Sequence, residues 1–308
     1  MPKYRAKAQV KANLNLWLND LFLRDGFYST TSTGEQDVYG RDLSLLIATQ
    51  DASYADNRVY QSAFKNWVHE SGLIPSSTGI IPPLVSSGIT VNGMFYPTSP
   101  LDPGYVSAFG HKTDFPNGRV IFDSPISSAS VVQGEFSYKS IAVDNASTFE
   151  NETKEFYFET SLKDNPQQTG VITYPKENSR TLPLVLIDII SKNNEAYELG
   201  VASNTALISA SLIVWTRDEY MKDQIDDLLT IQGHTVLLGV DFNKAPQLLD
   251  FAGDKNPAFT NYDDFARLDS PNFWHRIYID EANSRRLQPY YNMERLQINF
   301  SIRVYPNF

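Results

Sequence analysis

A chain of 308 residues is longer than one typical domain, so two lobes, or one core carrying a large insertion, are expected. Its 42% hydrophobic and 20% charged residues exclude a disordered chain, and no run approaches the ~20 apolar residues that cross a bilayer, so a soluble protein with no membrane partner is expected. Zero cysteines exclude disulfides, thiolate metal centres and cysteine nucleophiles, and a net charge of -10 repels a nucleic-acid backbone from most of the surface.

The first eleven residues carry Lys3, Arg5, Lys7 and Lys11 with no acidic neighbour, which reads as a solvated basic tail, with contact to DNA or to an acidic partner surface as the alternative. Val10, Leu14, Trp17, Leu18 and Leu21 recur at three and four residues and predict a helix stopped at Gly26. Val59, Tyr60, Ala63, Phe64, Trp67 and Val68 predict a second helix reaching about His69. From Leu73 to Gly110 the composition turns to Pro, Ser and Gly, marking a boundary. Asn117-Gly118 signals a tight turn before the apolar run Val120-Ile121-Phe122. Val132 to Lys139 then alternates apolar and polar residues, as one half-buried strand does, and Lys154 to Thr160 offers another strand.

The last third is the most regular. Leu184–Ile190 and Ile208–Trp215 read as strands, and Thr216 with Glu219 forms a capping box for an amphipathic helix stopped near Gly233. Thr235–Val240 reads as a strand, Asp250–Asp269 as an acidic, solvated loop, and Arg276–Asp280 as a strand. Leu296, Ile298, Phe300, Ile302 and Val304 alternate with Gln297, Asn299, Ser301 and Arg303 and close the chain on a half-buried strand. The fold class is therefore α+β: an antiparallel or mixed sheet flanked by helices, with an inserted β-hairpin or β-sandwich-like module. The expected division is 1–80, a helical segment packed on the core; 81–165, the inserted β module; and 166–308, the C-terminal α+β core.

Chemistry finds little support. No phosphate-binding glycine loop and no nucleophile elbow occurs. His69, His111, His234 and His275 lie far apart, and His69-Glu70, which begins like a metalloprotease helix, has Leu73 where the second histidine would stand. Asp254, Asp263 and Asp264 lack the alternation of a calcium loop. No enzyme, catalytic residue, metal site or cofactor is expected. The aromatic excess, seventeen tyrosines and eighteen phenylalanines, points instead to interfaces, with Tyr220, Leu228, Tyr290, Tyr291 and Tyr305 as candidate contacts.

Gly93-Met94-Phe95-Tyr96-Pro97, Asp114 through Asp123 and Glu135 through Tyr138 together resemble a β-hairpin module of phage virion proteins. Leu182–Asp241, with its apolar strand, Leu199-Gly200, long strand, helix with acidic ends and further strand, is similar to tail terminators and related neck proteins of tailed phages. That resemblance implies a structural protein forming a homo-oligomeric ring, six-fold or a multiple, in the virion neck between head and tail. It implies portal or adaptor, tail-tube and sheath proteins as partners, with genomic DNA only as non-specific cargo through the lumen. A receptor-binding or baseplate-peripheral module that recognises host glycan is the alternative reading.

Overall fold

The computed structural model describes residues 6–37, 40, 42–70, 83–146, 157–158, 179–180, 182–196, 204–245, 247–250, 253–256, 266–290 and 293–305. In chain order the elements are α1 (Ala6–Arg24), β1 (Tyr28–Thr31), β2 (Leu45–Thr49), β3 (Val59–Gln61), β4 (Gly88–Val91), β5 (Met94–Pro97), β6 (His111–Asp114), β7 (Arg119–Phe122), β8 (Val132–Gln133), β9 (Phe136–Lys139) and β10 (Ala142–Asn145). There follow β11 (Tyr157–Phe158), β12 (Ser179–Arg180), β13 (Leu184–Ala196), β14 (Asn204–Thr216), α2 (Glu219–Thr230), β15 (Thr235–Val240), β16 (Phe273–Tyr290) and β17 (Met293–Val304). The fold is α+β.

A six-stranded sheet runs β10-β13-β14-β17-β16-β15, antiparallel except where β10 lies parallel to β13. Its strands follow the period of two read from the sequence. Leu296, Ile298, Phe300, Ile302 and Val304 of β17 are buried, whereas Gln297, Asn299, Ser301 and Arg303 face the other way. Val10, Leu14, Trp17, Leu18 and Phe22 of α1 and Ile225 and Leu229 of α2 join the same core as these β17 residues, so both helices cover one face. Each fully buried side chain of this size contributes about 1.5–3 kcal/mol.

The second sheet is an antiparallel seven-stranded one, β5-β4-β8-β2-β3-β7-β6, around Tyr60, Trp67, Phe122 and Phe136. It draws on residues on both sides of position 80. The helix expected over Val59–His69 is absent: Val59–Gln61 is a strand wedged between β2 and β7, and the chain then turns. Ser62 Oγ accepts from the Phe64 amide, Asn66 takes φ +55°, and the Trp67 and Val68 amides donate to the Phe115 and Ser137 carbonyls. The apolar pairs suited a helical stripe, but these long-range bonds outcompete it. The single strand expected over Val132–Lys139 is two. Gly134 breaks it, donating its amide to Ser44 O, so that β8 stays with β2 and β4 while β9 pairs with β1.

The Asn117-Gly118 turn is present, joining β6 to β7. Gly118 has φ +63°, and a Cβ there would collide with the Phe64 carbonyl, so glycine is required twice over. The expected capping box is replaced by a simpler cap: Asp218 accepts from the Tyr220 amide at 2.9 Å, and the Thr216 hydroxyl turns back to Asp218 O. The basic start is not simply a tail. The helix begins by Ala6, and Lys11 Nζ donates to Ala146 O at 2.7 Å, while Lys3 and Arg5 lie outside the described residues. Of the strand expected at Lys154–Thr160, only Tyr157 and Phe158 are described, as β11.

The two sheets meet through a stem. The chain leaves α1 at Phe27 and returns to it before β10, with Tyr28 paired to Lys139 and the Ser140 amide donating to Phe27 O. Residues 28–139 thus form an insertion whose two ends lie side by side.

Candidate functional site

A cavity of about 260 Å³ opens where the two sheets join, walled by Asn19 of α1, His69, Lys139 at the end of β9, Asp144 of β10 and Leu249. Lys139 in its wall belongs to a buried pair: its Nζ lies 2.6 Å from Glu70 Oε1 and 3.3 Å from Asn19 Oδ1. Glu70 Oε2 accepts from the His69 amide at 3.1 Å and lies 3.5 Å from His69 Nδ1. His69 Nε2 is buried with no hydrogen-bond partner among the described residues.

These contacts set the protonation states. Burial alone would raise the Glu70 carboxyl, but the Lys139 charge and hydrogen bond overcome it and hold the carboxyl at about 2. Burial pushes the His69 imidazole down to about 4, against the opposing pull of Glu70. A carboxylate locked to a lysine has no proton to give near neutrality, and an imidazole of this pKa stays neutral and weakly basic. The arrangement ties α1, the 62–70 segment and β9 together without presenting an acid–base couple at the cavity wall. Among the described residues no group of three or more His, Cys, Asp or Glu is placed to hold a metal ion.

The other histidines serve the framework. His111 is buried between Thr98 Oγ1 and the Phe109 carbonyl, His234 takes φ +69° and donates its amide to Ile279 O, and His275 is buried on β16. Asp254 belongs to a loop that docks on the seven-stranded sheet and is not simply solvated. Leu249 packs on that sheet's core, and Gly253 O accepts from the Phe115 amide. Burial raises the Asp254 carboxyl. Asp263 and Asp264 lie outside the described residues, as does Leu73.

The candidate interface residues are scattered. Tyr220 stands 69% exposed on the first turn of α2. Leu228 is half-buried against the helix-covered core, so its apolar surface is used within the chain. Tyr305 packs edge-on to Tyr278 at 5.0 Å and accepts from Arg303 at 3.0 Å. Tyr290 ends β16, opposite Met293. Tyr291 lies outside the described residues.

Sequence reasoning missed the most exposed apolar side chains of the smaller strands. Met94 is 65% exposed and Phe95 57%, both on β5 at the margin of the seven-stranded sheet, with exposed Val131 bonded to the adjoining turn at Asn92. The signal was Asn92-Gly93, a two-residue hairpin loop with positive φ at both positions. No model of a known protein family matches the chain, and no curated protein matches it.

Proposed function

We propose that the chain is a structural protein of a tailed-phage virion, forming a homo-oligomeric ring, six-fold or a multiple, in the neck that joins head to tail. The observation that carries this reading is the two-layer build of the six-stranded sheet, whose helices α1 and α2 share one face. The opposite face is divided: Leu184, Leu186, Trp215 and Met293 form a buried apolar cluster at one end, while Ser209, Gln297, Asn299 and Ser301 present polar side chains that hydrate readily. A protomer of this kind can line a channel with the polar part of that face and keep its helices outside. The formal charge of -10 suits a lumen through which DNA slides as cargo, because like charge keeps phosphate from adhering.

The 28–139 insertion, with Met94 and Phe95 at its margin, offers the contact to a neighbouring portal, adaptor, tail-tube or sheath protein. The mechanism is geometric, and no bond is made or broken. Immunogold electron microscopy of the phage that encodes the chain tests it: label at the head–tail junction is expected, and label on fibre tips or the baseplate overturns it.

A further inference from the structure

The chain carries two Asn-Gly pairs, and the fold holds them in opposite ways. Where glycine follows asparagine, the glycine nitrogen can turn onto the side-chain amide carbon, because no Cβ hinders its approach. Asn92-Gly93 joins β4 to β5, and Asn117-Gly118 joins β6 to β7.

At Asn117-Gly118 the groups that would react are engaged. Asn117 Nδ2 donates to Asp114 Oδ1 at 3.1 Å and to Oδ2 at 2.9 Å, and Arg119 Nε holds that carboxylate at 2.6 Å. The Gly118 amide donates to Phe115 O at 3.3 Å, and its carbonyl accepts from the Ser62 amide at 3.0 Å. Gly118 is buried with no room beside the Phe64 carbonyl, so turning its nitrogen would break contacts inside the core.

Asn92 and Gly93 are both exposed, and nothing lies within 4 Å of where a Gly93 Cβ would stand. The Asn92 amide donates to Val131 O, and the Val131 amide donates to Asn92 Oδ1 at 2.9 Å. Among the described residues the Gly93 amide and Asn92 Nδ2 have no partner, so nucleophile and leaving group have no bond to give up. The Val131 N–H is aimed at the oxygen that gathers negative charge when Asn92 Cγ becomes tetrahedral, as an oxyanion donor is.

We infer that Asn92 is a site of self-modification in the folded chain, losing its carboxamide through a cyclic imide with Gly93, while Asn117 is protected. The Gly93 nitrogen bonds to Asn92 Cγ, the Cγ–Nδ2 bond breaks, and Nδ2 leaves as ammonia with the proton of the Gly93 amide. Water then opens the imide. Cleavage of the new Cγ–N bond leaves an aspartate on the original backbone; cleavage at the backbone carbonyl leaves an isoaspartate, with the chain running through the side chain. Either product adds a negative charge beside the exposed Met94 and Phe95. Aspartate keeps the turn, because Asp-Gly suits the same two-residue loop, whereas isoaspartate lengthens the backbone and disturbs the Val91–Met94 pairing. The inference stands apart from the neck reading, since it needs no partner molecule.

Peptide mapping by mass spectrometry of the folded, full-length chain, aged at mildly alkaline pH, tests it. Conversion at Asn92 is expected to run at least about tenfold faster than at Asn117, with isoaspartate among the products. In the urea-unfolded chain the two rates are expected to converge, because neither turn survives. Val131→Pro removes the donor N–H and is expected to slow conversion at Asn92, whereas loss of a bond that only fastened the turn would speed it. An Asn117 that converts as fast as Asn92 in the folded chain, an Asn92 that stays intact there, or a Val131→Pro chain that converts as fast as wild type or faster overturns the inference.

Discussion

Glu70 and Lys139 are 10% and 11% exposed, and the Lys139 charge and hydrogen bond hold the Glu70 carboxyl low. Removing one leaves a buried charge without its counter-ion, so Lys139→Met is expected to cost about 3–5 kcal/mol. The double replacement Lys139→Met with Glu70→Leu restores much of that loss, and urea unfolding of the three proteins measures both. His69 adds a pH dependence of definite sign. Its folded pKa of about 4 lies below the ordinary 6.5, so between these values the unfolded chain takes up a proton that the folded chain refuses. Stability is complete above pH 6.5 and falls as pH drops toward 4, by up to about 3 kcal/mol. Glu70 contributes above its ordinary 4.5 and loses its share as pH falls toward 2. Urea midpoints between pH 7 and pH 4.5 should slope downward for the wild type and lie flatter for His69→Gln. None of this was legible in the sequence, which shows His69-Glu70 as a broken zinc motif. The lysine that explains the pair is 69 residues further on.

At the scale of elements, legibility followed the range of the forces at work. β17 could be read because one face of it meets a single extended core, and α1 because Val10, Leu14, Trp17 and Leu18 meet that same core, although Leu16 and Leu23 are buried elsewhere. The Val59–Val68 stretch has a helical period too, yet Val59–Gln61 is held by β2 and β7, and no local pattern announces those partners. The helix α2 was placed correctly, but its cap was misread by two residues. Asp218→Ala is expected to cost about 0.5–2 kcal/mol and Glu219→Ala much less, the reverse of the ranking a Thr216–Glu219 box would give. Thermal unfolding of the two variants decides between the caps. Asn13 is a second residue whose role lies outside its own element. Asn13→Leu keeps the helix but strands the Val240 amide and carbonyl, at about 1–3 kcal/mol, and bares the β15 margin to other strands.

For the whole molecule, the stem at Tyr28 and Lys139 defines where the chain can be cut. Paired Cα atoms lie roughly 5 Å apart, so a few glycines can replace residues 28–139. The shortened chain is expected to keep α1 over the six-stranded sheet and to unfold cooperatively, as circular dichroism during heating would show. A cut at position 80 instead separates β2 from β8 and β3 from β7. The sequence could announce the composition change after Leu73 but not the stem, because β1 and β9 are short and come together only through the fold. What the whole assembles into is the central claim, and electron microscopy of the purified full-length chain at rising concentration tests it most directly. Closed rings with six-fold, or a multiple of six-fold, end views are the expected result; protomers that stay single and dispersed at the highest concentration reached contradict it.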